Sequence, residues 1–427
     1  MRVRDRRAPS LWQRRRPPSP GTLRGFFHFT RRRSDAPAAG AISRGGECGV
    51  LRPARDEEAS GRLRELALLH RPEPTRHQLE LPGLMADFPE LLRRLLQGGT
   101  MSSEESAATV GAIMDETITG VQAAGLLIAL AARGETIEEV VGAATAMRQR
   151  AVPLNHDLPL VIDIVGTGGD GVGSINISTA AALVVAGAGI PVAKHGNRAA
   201  SSKCGSADVL EALGVPLDRP PTDSAELLVN DRIAFLFAPR YHPAMKAMSG
   251  LRRELGVRTI FNLLGPICNP AGAQRQLIGV FGKAQLDLVA EAVQELGGEE
   301  GAVVHSASGM DEVAGDGPTF VAQFDQKGTR RWVLRPEDHG VRASFEDLKG
   351  GGAETNAQLI LGVLRGEASP RADVVALNAG LALVIAGAAA DVDEGLVLAR
   401  ASIASGAAME ALEALRRGPR APVTADV

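Results

Sequence analysis

The densest chemical signal in the sequence is a glycine-rich turn, GTGGDG at residues 166–171, which directly follows the apolar run LVIDIV at residues 160–165. A short apolar run rich in Ile and Val predicts a buried strand. Glycine allows backbone amides to approach a phosphate group that any Cβ would hold away. The two segments together predict a phosphate-binding turn at the end of a strand, with a ligand-free strand–helix turn as the alternative.

The same turn formally fits G-x-G-x-x-G, the fingerprint of dinucleotide-binding proteins. That fingerprint requires an acidic residue roughly 20 residues further on, which binds a ribose. No Asp or Glu occurs between Asp170 and Asp208. A nicotinamide cofactor is therefore disfavoured.

Two further segments supply groups that bind anions. The residues NIST at 176–179 open an apolar stretch that is predicted to be helical, and amides and hydroxyls at a helix N-terminus attract anions. A simple N-cap would explain Ser178 or Thr179 but not the glycine turn just before them. The loop KHGNRAASSKCGSAD at residues 194–208 then places nine donor side chains between two apolar segments, where α/β proteins bind ligands. A solvated polar loop is the alternative for its Lys and Arg residues.

The elements that must position these residues fall into two parts. Between residues 85 and 155 apolar residues repeat at helical spacing, as in Phe88, Leu91 and Leu95, and Ser102 or Ser103 is the expected N-cap of the next helix. From residue 156 onward apolar runs alternate with glycine-rich turns and amphipathic helices. We therefore predict an α/β protein, with a small all-helical domain at residues 85–155 and a larger α/β domain at residues 156–427 that has a mostly parallel central sheet.

Three helical segments complete this prediction. Residues 241–256 are expected to add a helix to the helical domain. Residues 347–364 and 373–388 are expected to close the α/β domain as helices.

Residues 1–84 differ in composition from the rest of the chain. They hold 18 Arg, no Lys and 9 acidic residues without sustained periodicity, which predicts a disordered Arg-rich extension. Three explanations stay open: a transit peptide, a nucleic-acid-binding tail, or an upstream stretch included by a misplaced start. We favour the misplaced start, because Met85 directly precedes the first amphipathic helix.

Composition excludes several classes of protein. Hydrophobic residues make up 44% of the 427 residues, which is typical of a globular chain with room for two domains. The uncharged apolar stretches at residues 179–193 and 374–390 are shorter than the roughly 20 apolar residues of a spanning helix, so no membrane segment is expected. Three well-separated cysteines do not suggest a disulfide framework, and a reducing, cytoplasmic location is expected. Residues 85–427 carry a net charge of −12, which disfavours nucleic acid as a partner.

The motifs GTGGDG, NIST and KHGNRAASSKCGSADVLEALG, in this order and spacing, resemble the anthranilate phosphoribosyltransferase family. The likeness continues through YHPAMK at residues 241–246, LRRELGVRTIFNLLGP at residues 251–266 and MDE at residues 310–312, and it covers the chain from about Phe88 onward. It implies transfer of the 5-phosphoribosyl group from phosphoribosyl diphosphate to the amine of anthranilate, with release of diphosphate, in tryptophan biosynthesis. It also implies a homodimer formed through the helical domain.

The resemblance implies site residues as well. Two magnesium ions would be held by Ser178, Asp311 and Glu312, and anthranilate would be held by Gly166, Asn197 and Arg252. The residues His195, Asn197 and Arg252 would be catalytic. Phosphoribosyl diphosphate would be held by a larger set from the three motifs: Gly166, Gly169, Asp170, Ser174, Asn176, Ile177, Ser178, Thr179, Lys194, His195, Gly196, Asn197, Arg198, Ala199, Ala200, Ser201, Ser202 and Ser206.

The sequence departs from the family pattern at two positions near these residues. Family members usually have Thr at the position of Ser174, which keeps the hydroxyl. They usually have Gly at the position of Ser306, which lies where it could disturb the loop that carries the two acids.

The chemistry of the residues agrees with this implication. Diphosphate leaves C1 of the ribose with several negative charges, and adjacent carboxylates at Asp311 and Glu312, after a predicted strand at residues 302–305, suit magnesium. Arg252 can hold a carboxylate in a bidentate fork, although a helix-surface arginine beside Arg253 is an equal alternative. His195 is the nearby candidate for proton removal, with a structural hydrogen bond as an equal alternative.

Two other functions stay open. A pyrimidine nucleoside phosphorylase of the same fold would need no magnesium pair, so Asp311 and Glu312 disfavour it. A non-catalytic nucleic-acid-binding relative would use the basic residues 1–84, and the complete KHGNRAASS run, Arg252 and both acids disfavour that function.

Overall fold

The structure is a computed structural model that describes residues 88–199 and 202–420. The extension predicted at residues 1–84 lies outside the described residues, and so do Ala200 and Ser201. The described chain has an N-terminal group of helices followed by a seven-stranded sheet with helices around it, which confirms the predicted fold class.

The N-terminal domain contains four helices that begin where the sequence supplies capping residues. These are α1 (Phe88–Leu96), α2 (Ser103–Met114), α3 (Gly120–Arg133) and α4 (Ile137–Gln149). Ser102, Thr119 and Thr136 each cap one of the last three helices through a reciprocal capping box. Of the two candidate caps for α2, the structure therefore identifies Ser102.

The central sheet of the second domain is mostly parallel. Its strands are β1 (Ile162–Gly166), β2 (Val192–Gly196), β3 (Ile233–Phe237), β4 (Arg275–Gly279), β5 (Glu300–Ser306), β6 (Thr319–Asp325) and β7 (Gly328–Leu334). They are ordered β3-β2-β1-β4-β5-β6-β7. The first five strands in this order, from β3 to β5, pair in parallel. Strands β6 and β7 add an antiparallel hairpin that the sequence did not predict.

The strand order reverses between β1 and β4. From β1 the chain builds β2 and β3 on one side, and it then returns to place β4 on the other side. Ligands of open α/β sheets bind outside the carboxyl ends of the strands at such a reversal. The topology therefore points to the ends of β1 and β4 as the place of a site.

Helices cover both faces of the sheet. They are α5 (Ile177–Gly187), α6 (Ser206–Ala212), α7 (Pro221–Asp231), α8 (Ala238–Tyr241), α9 (Met245–Leu255), α10 (Phe261–Ile267), α11 (Gln285–Glu295), α12 (Phe345–Leu348), α13 (Ala353–Leu364), α14 (Pro370–Ile385), α15 (Val392–Ala404) and α16 (Ala407–Arg417), with a 3-10 helix at Pro336–His339. The apolar helix α5 is buried along most of its length because α14 and α16 pack on it. This packing fixes the N-terminus of α5 relative to the sheet.

Three predictions about these helices have different outcomes. The helix expected at residues 373–388 is confirmed as α14. The helix expected at residues 241–256 is confirmed as α9, and its Met248 shares an apolar core with Leu126 of the N-terminal domain. A single helix over residues 347–364 is wrong, because the glycines at residues 350–352 separate α12 from α13. Helices α15 and α16 were not predicted.

No single helix in the described ranges is long and apolar enough to cross a membrane. Helices α15 and α16 are long and apolar enough for this only when they are taken together, and they are bent by 61° at the break between them.

Candidate active site

The glycine-rich turn after β1 has a backbone that only glycine adopts readily. Gly168, Gly169, Gly171 and Gly173 have φ angles of 67°, 70°, 78° and 76°, in the left-handed region that side chains rarely occupy. The carbonyl of Gly169 accepts a hydrogen bond from the guanidinium of Arg258, which also lies 4.2 Å from the centre of the Phe281 ring. This contact joins the turn to the segment that follows α9.

The two predicted acids lie directly over the ends of β1 and β4. Gly166 and Gly279 are partners in the parallel register of these strands. A Cβ on Gly279 would overlap the backbone of Asp311, and a Cβ on Gly166 would overlap its carboxylate. Asp311 Oδ2 also accepts a hydrogen bond of 2.7 Å from the amide of Gly168. The acidic loop therefore needs glycine at both strand ends, and it contacts the predicted phosphate turn.

The second acid reaches the N-terminus of α5. The amide of Ser178 donates a hydrogen bond of 3.1 Å to Glu312 Oε1. The buried Lys194 in the middle of β2 donates to Ser178 Oγ at 3.4 Å and to the carbonyl of Ile164 at 2.6 Å. The glycine turn, the start of α5, Lys194 and the acidic pair thus meet at one place.

Burial and repulsion between carboxylates disfavour the charged forms of both acids. Desolvation, followed by repulsion from Asp311, raises the pKa of Glu312 to about 8. Desolvation, followed by repulsion from Asp170, raises the pKa of Asp311 to about 6. Burial lowers the pKa of Lys194, against the attraction of Asp163 and both acids. A bound cation would relieve the repulsion among the carboxylates.

The side chains that could bind a metal ion here suit magnesium better than a metal ion whose ligands all come from the protein. Among residues 88–199 and 202–420, no three His, Cys, Asp or Glu side chains converge to hold a metal ion. Asp311 and Glu312 each use one carboxylate oxygen for a backbone amide, which leaves the other oxygen for a cation. Magnesium usually takes one or two carboxylates together with water and substrate phosphate oxygens. Residues Ser178, Asp311 and Glu312 therefore fit the ligand set that the resemblance implies.

Ser306 does not disturb the acidic loop. Its hydroxyl accepts a hydrogen bond of 3.0 Å from the amide of Met310, and its own amide donates to the carbonyl of Met310 at 3.0 Å. The hydroxyl also lies 2.8 Å from Ser308 Oγ. The side chain that replaces the usual glycine closes the turn just before Asp311.

His195 is held by the sheet and is poorly suited to accept a proton. Its amide donates to Asp163 Oδ1 at 3.2 Å, and its Nδ1 lies 2.9 Å from the carbonyl of Gly265. Burial, and then the neighbouring His242, lower the pKa of His195 to about 3. The imidazole is therefore neutral and weakly basic at pH 7, which supports the structural alternative for this residue.

The loop after β2 is tied to the start of α6. The guanidinium of Arg198 pairs with Glu211 at 2.7 and 2.9 Å and with Asp208 at 3.1 Å. Asp208 Oδ2 also accepts from the amide of Ala199 at 2.9 Å. The structure thus directs Arg198 toward surface acids and not toward Asp311 and Glu312. Asn197 and Ser202 are exposed, and Ser206 Oγ donates to the carbonyl of Asn197 at 3.4 Å.

The remaining motif residues support the start of α5. Ser174 forms an antiparallel bridge with Lys349. Asn176 Oδ1 accepts from Asn356 at 2.9 Å, and Asn176 Nδ2 donates to the carbonyl of Cys204 at 3.1 Å, so its side chain is largely used within the protein. Ile177 lies in the core, and only its backbone can face a ligand. The buried hydroxyl of Thr179 has no hydrogen-bond partner among the described residues.

Arg252 on α9 is a half-buried cation without a carboxylate partner in the described part of the chain. Its guanidinium carbon lies 5.9 Å from the centre of the Phe261 ring. Burial lowers the pKa of Arg252 from its ordinary value. The neighbouring Arg253 is exposed. This difference favours a carboxylate-binding role for Arg252 over that of a surface arginine.

Sequence reasoning missed several buried polar residues that support this site. Asp163 accepts hydrogen bonds from the His195 amide and, at 2.8 Å, from Asn269 Nδ2. Asn378 binds the backbone that follows Glu312. The available signal was a single polar residue inside an apolar run, which holds for Asp163 within LVIDIV and for Asn378 within residues 374–390.

Replacing Glu312 by Gln is expected to raise the melting temperature of the metal-free protein by several degrees at about pH 8. The folded pKa of about 8 lies above the ordinary value of 4.5, so the folded protein holds a proton that the unfolded chain has released. The stability linked to this proton is fully present below pH 4.5 and is lost as the pH rises toward 8. Thermal unfolding in EDTA should therefore show a gain that grows from about pH 5 to about pH 8. A gain independent of pH would contradict this explanation.

Comparison with known proteins agrees with the two-domain architecture. Residues 89–151 match the family model described as the helical bundle domain of a glycosyl transferase family, and residues 158–409 match the model of its a/b domain. The match covers the helices α1 to α4 and the sheet with the site at its strand ends. Fold and site thus define the class of glycosyl transferases that combine these two domains.

Individual relatives identify the family within this class. The chain is 46% identical over 332 residues to the anthranilate phosphoribosyltransferase of Rhodopseudomonas palustris (strain BisA53), covering 78% of this chain and 98% of the relative. The crystal structure of anthranilate phosphoribosyltransferase from Thermus thermophilus has 47% identity and a TM-score of 0.72, covering 76% of this chain and 99% of that one. The Saccharomyces cerevisiae enzyme in complex with PRPP and Mg has 27% identity and a TM-score of 0.71, with coverage of 78% and 97%. The chain belongs to the anthranilate phosphoribosyltransferase family.

Proposed function

We propose that this protein transfers the 5-phosphoribosyl group from phosphoribosyl diphosphate to the amine of anthranilate, a step of tryptophan biosynthesis. The observation that carries the proposal is the position of Asp311 and Glu312, which contact both the glycine turn at Gly168 and the start of α5 at Ser178. The likeness to the Saccharomyces cerevisiae enzyme solved with PRPP and Mg supports the same donor and metal here.

The donor would bind where backbone amides and cations meet. The glycine turn at residues 166–171 and the N-terminus of α5 offer amides to the diphosphate, and Lys194 offers a buried positive charge. The exposed Asn197 and Ser202 would contact the donor from the loop that follows β2. A side chain at Gly166 would overlap the carboxylate of Asp311, so glycine at this position lets the acid lie against the end of β1.

Two magnesium ions would be held by Ser178, Asp311 and Glu312. When bound, magnesium neutralises the charge that develops on the leaving diphosphate. The protein contributes the geometry, because both carboxylates are fixed by backbone amides before any ligand arrives. The raised pKa of each acid, about 6 and about 8, also means that cation binding would release protons near neutral pH.

The acceptor would be oriented by its carboxylate. Arg252 is a half-buried cation that lacks a carboxylate partner within the described ranges, and anthranilate supplies one. The aromatic amine is neutral at pH 7 and attacks C1 of the ribose as the bond from C1 to the diphosphate oxygen breaks. Its proton then leaves to the released diphosphate or to solvent. Orientation contributes more to this step than a strong base, which agrees with the weakly basic His195.

Two further proposals concern the whole protein. A homodimer through the helical domain is supported by large apolar side chains exposed on α1 and α3, with Leu96 exposed to 70% and Val121 to 84%. A cytoplasmic location stays a prediction from the cysteine content.

Anthranilate fluorescence tests the proposed reaction directly. The signal is expected to fall only when phosphoribosyl diphosphate and a divalent cation are both present, because the amine is then substituted. Omitting either one, or adding EDTA, should leave the signal unchanged. Phosphorolysis of thymidine with no change in anthranilate would instead support a pyrimidine nucleoside phosphorylase.

A further inference from the structure

The helix α14 contains one amide side chain in an otherwise apolar stretch. Asn378 is fully buried, with an exposed fraction of 0%. Its Oδ1 accepts a hydrogen bond of 3.0 Å from the amide of Val313, and its Nδ2 donates to the carbonyl of Val313 at 2.8 Å and to that of Val374 at 2.9 Å. Burying an amide is costly unless its hydrogen bonds are formed, and here both polar atoms are bonded.

The residue that Asn378 holds directly follows Glu312. The loop at residues 307–318 has no strand partner, so its buried backbone groups depend on other acceptors and donors. Ser306 accepts from the amide of Met310, and Thr319 accepts from the amide of Ala314 at 3.3 Å. Asn378 alone among these side chains binds both the amide and the carbonyl of one loop residue.

The carboxylate ends of the two acids are held from the opposite side of the site. Asp311 and Glu312 each accept one backbone hydrogen bond from the opposite side of the site, at Gly168 and Ser178. Repulsion between the two carboxylates acts to separate them. A fixed peptide at Val313 therefore determines where Glu312 can lie.

We propose that Asn378 is a positioning residue that holds Glu312 and Asp311 ready for the metal-bound donor. The inference rests on the proposed function for the identity of that donor. Asn378 does not contact the ligands. It acts through the backbone of Val313, across the packing between α14 and the acidic loop.

Two variants separate this role from a general contribution to folding. Asn378→Leu removes all three hydrogen bonds and introduces an apolar side chain of similar size. Asn378→Asp keeps the shape and the acceptor for the Val313 amide, but it places an oxygen against the two carbonyls. Ser106→Ala is the matched control, because its buried hydroxyl donates a single hydrogen bond, to the carbonyl of Glu139 at 2.6 Å, within the helical domain.

The first readout does not involve activity. Hydrogen–deuterium exchange of the metal-free protein should be faster by about tenfold or more at residues 310–315 in Asn378→Leu, while Ser106→Ala leaves this segment protected as in the unchanged protein. If Asn378→Leu fails to fold, Asn378→Asp carries the same comparison. Equal protection of the loop in the folded Asn378 variants would overturn the inference.

The second readout is binding of phosphoribosyl diphosphate by calorimetry at several concentrations of magnesium chloride. The magnesium needed for half-maximal donor binding is expected to rise about tenfold in the Asn378 variants, with an anthranilate KM within about twofold of normal. Ser106→Ala should lower the melting temperature without changing the magnesium requirement. Equal weakening of donor binding and of anthranilate binding, or an unchanged magnesium requirement, would show that Asn378 has a structural role only. Absence of magnesium-dependent donor binding in the unchanged protein would count against the proposed function, and the exchange result would still decide the role of Asn378.

Discussion

Asp311→Asn and Glu312→Gln are each expected to abolish turnover at ordinary magnesium concentrations, or to raise the magnesium requirement by about a hundredfold or more. Each substitution keeps the shape of the side chain, and the amide oxygen can still accept from the backbone amide of Gly168 or Ser178. What is lost is the negative charge that holds the cation. Unfolding should stay cooperative, because removing a buried charge with a raised pKa favours the folded state.

The measurement is the initial rate as a function of magnesium chloride at saturating phosphoribosyl diphosphate and anthranilate. Asp316→Asn provides a matched control, since Asp316 is an exposed acid of the same loop. It should behave as the unchanged protein at every magnesium concentration. Normal turnover of either test variant at low magnesium would remove that residue from the metal site.

The strands that build the site could be predicted because they are buried on both faces. The continuous apolar run at residues 233–237, for example, coincides with strand β3. The hairpin of β6 and β7 was missed because β7 lies at the edge of the sheet and most of its residues are at least partly exposed. Its polar residues interrupt the apolar run that would predict a strand. Helix α16, by contrast, carried a usable signal, because its buried Ala408, Leu412 and Leu415 recur at helical spacing.

The motifs identified the acids, the glycine turn and the start of α5, but not what fixes their geometry. Gly279 and Gly166 are far apart in sequence, and their pairing in one register follows from the sheet order alone. That register creates the space into which Asp311 fits. The spacing of residues along the chain does not predict this register, because the register arises from a contact between strands that are distant in sequence.

Arg198 has contacts within the protein that its motif does not indicate. Its place in a donor-rich run predicts a phosphate contact, which stays a prediction, and the structure adds a pairing with Glu211 and Asp208 on α6 that the motif does not indicate. These acids are three residues apart and lie on one side of the helix. A pairing of this kind depends on how the loop folds back on α6, which side-chain type and spacing do not determine.

The acceptor side of the site can be tested through Arg252. Arg252→Ala is expected to raise the KM for anthranilate by about tens- to thousands-fold while changing the KM for phosphoribosyl diphosphate little. Truncating one partner of a buried charge pair costs about 2–5 kcal/mol, because the other charge is left without its partner. Arg252 is half-buried, burial already lowers its pKa, and it has no carboxylate partner in the described part of the chain. A carboxylate supplied by the substrate is therefore the partner that this position lacks.

Two further variants separate charge from geometry at this position. Arg252→Lys keeps the positive charge but loses the planar fork, so its KM for anthranilate should lie between those of Arg252→Ala and the unchanged protein. Arg253→Ala removes the neighbouring, exposed arginine and should leave both KM values within about twofold of normal, because surface charges contribute little. The KM values come from initial rates with each substrate varied in turn, followed by the loss of anthranilate fluorescence. An equal rise in both KM values for Arg252→Ala would assign this arginine to the phosphates or to the packing of α9 on Phe261.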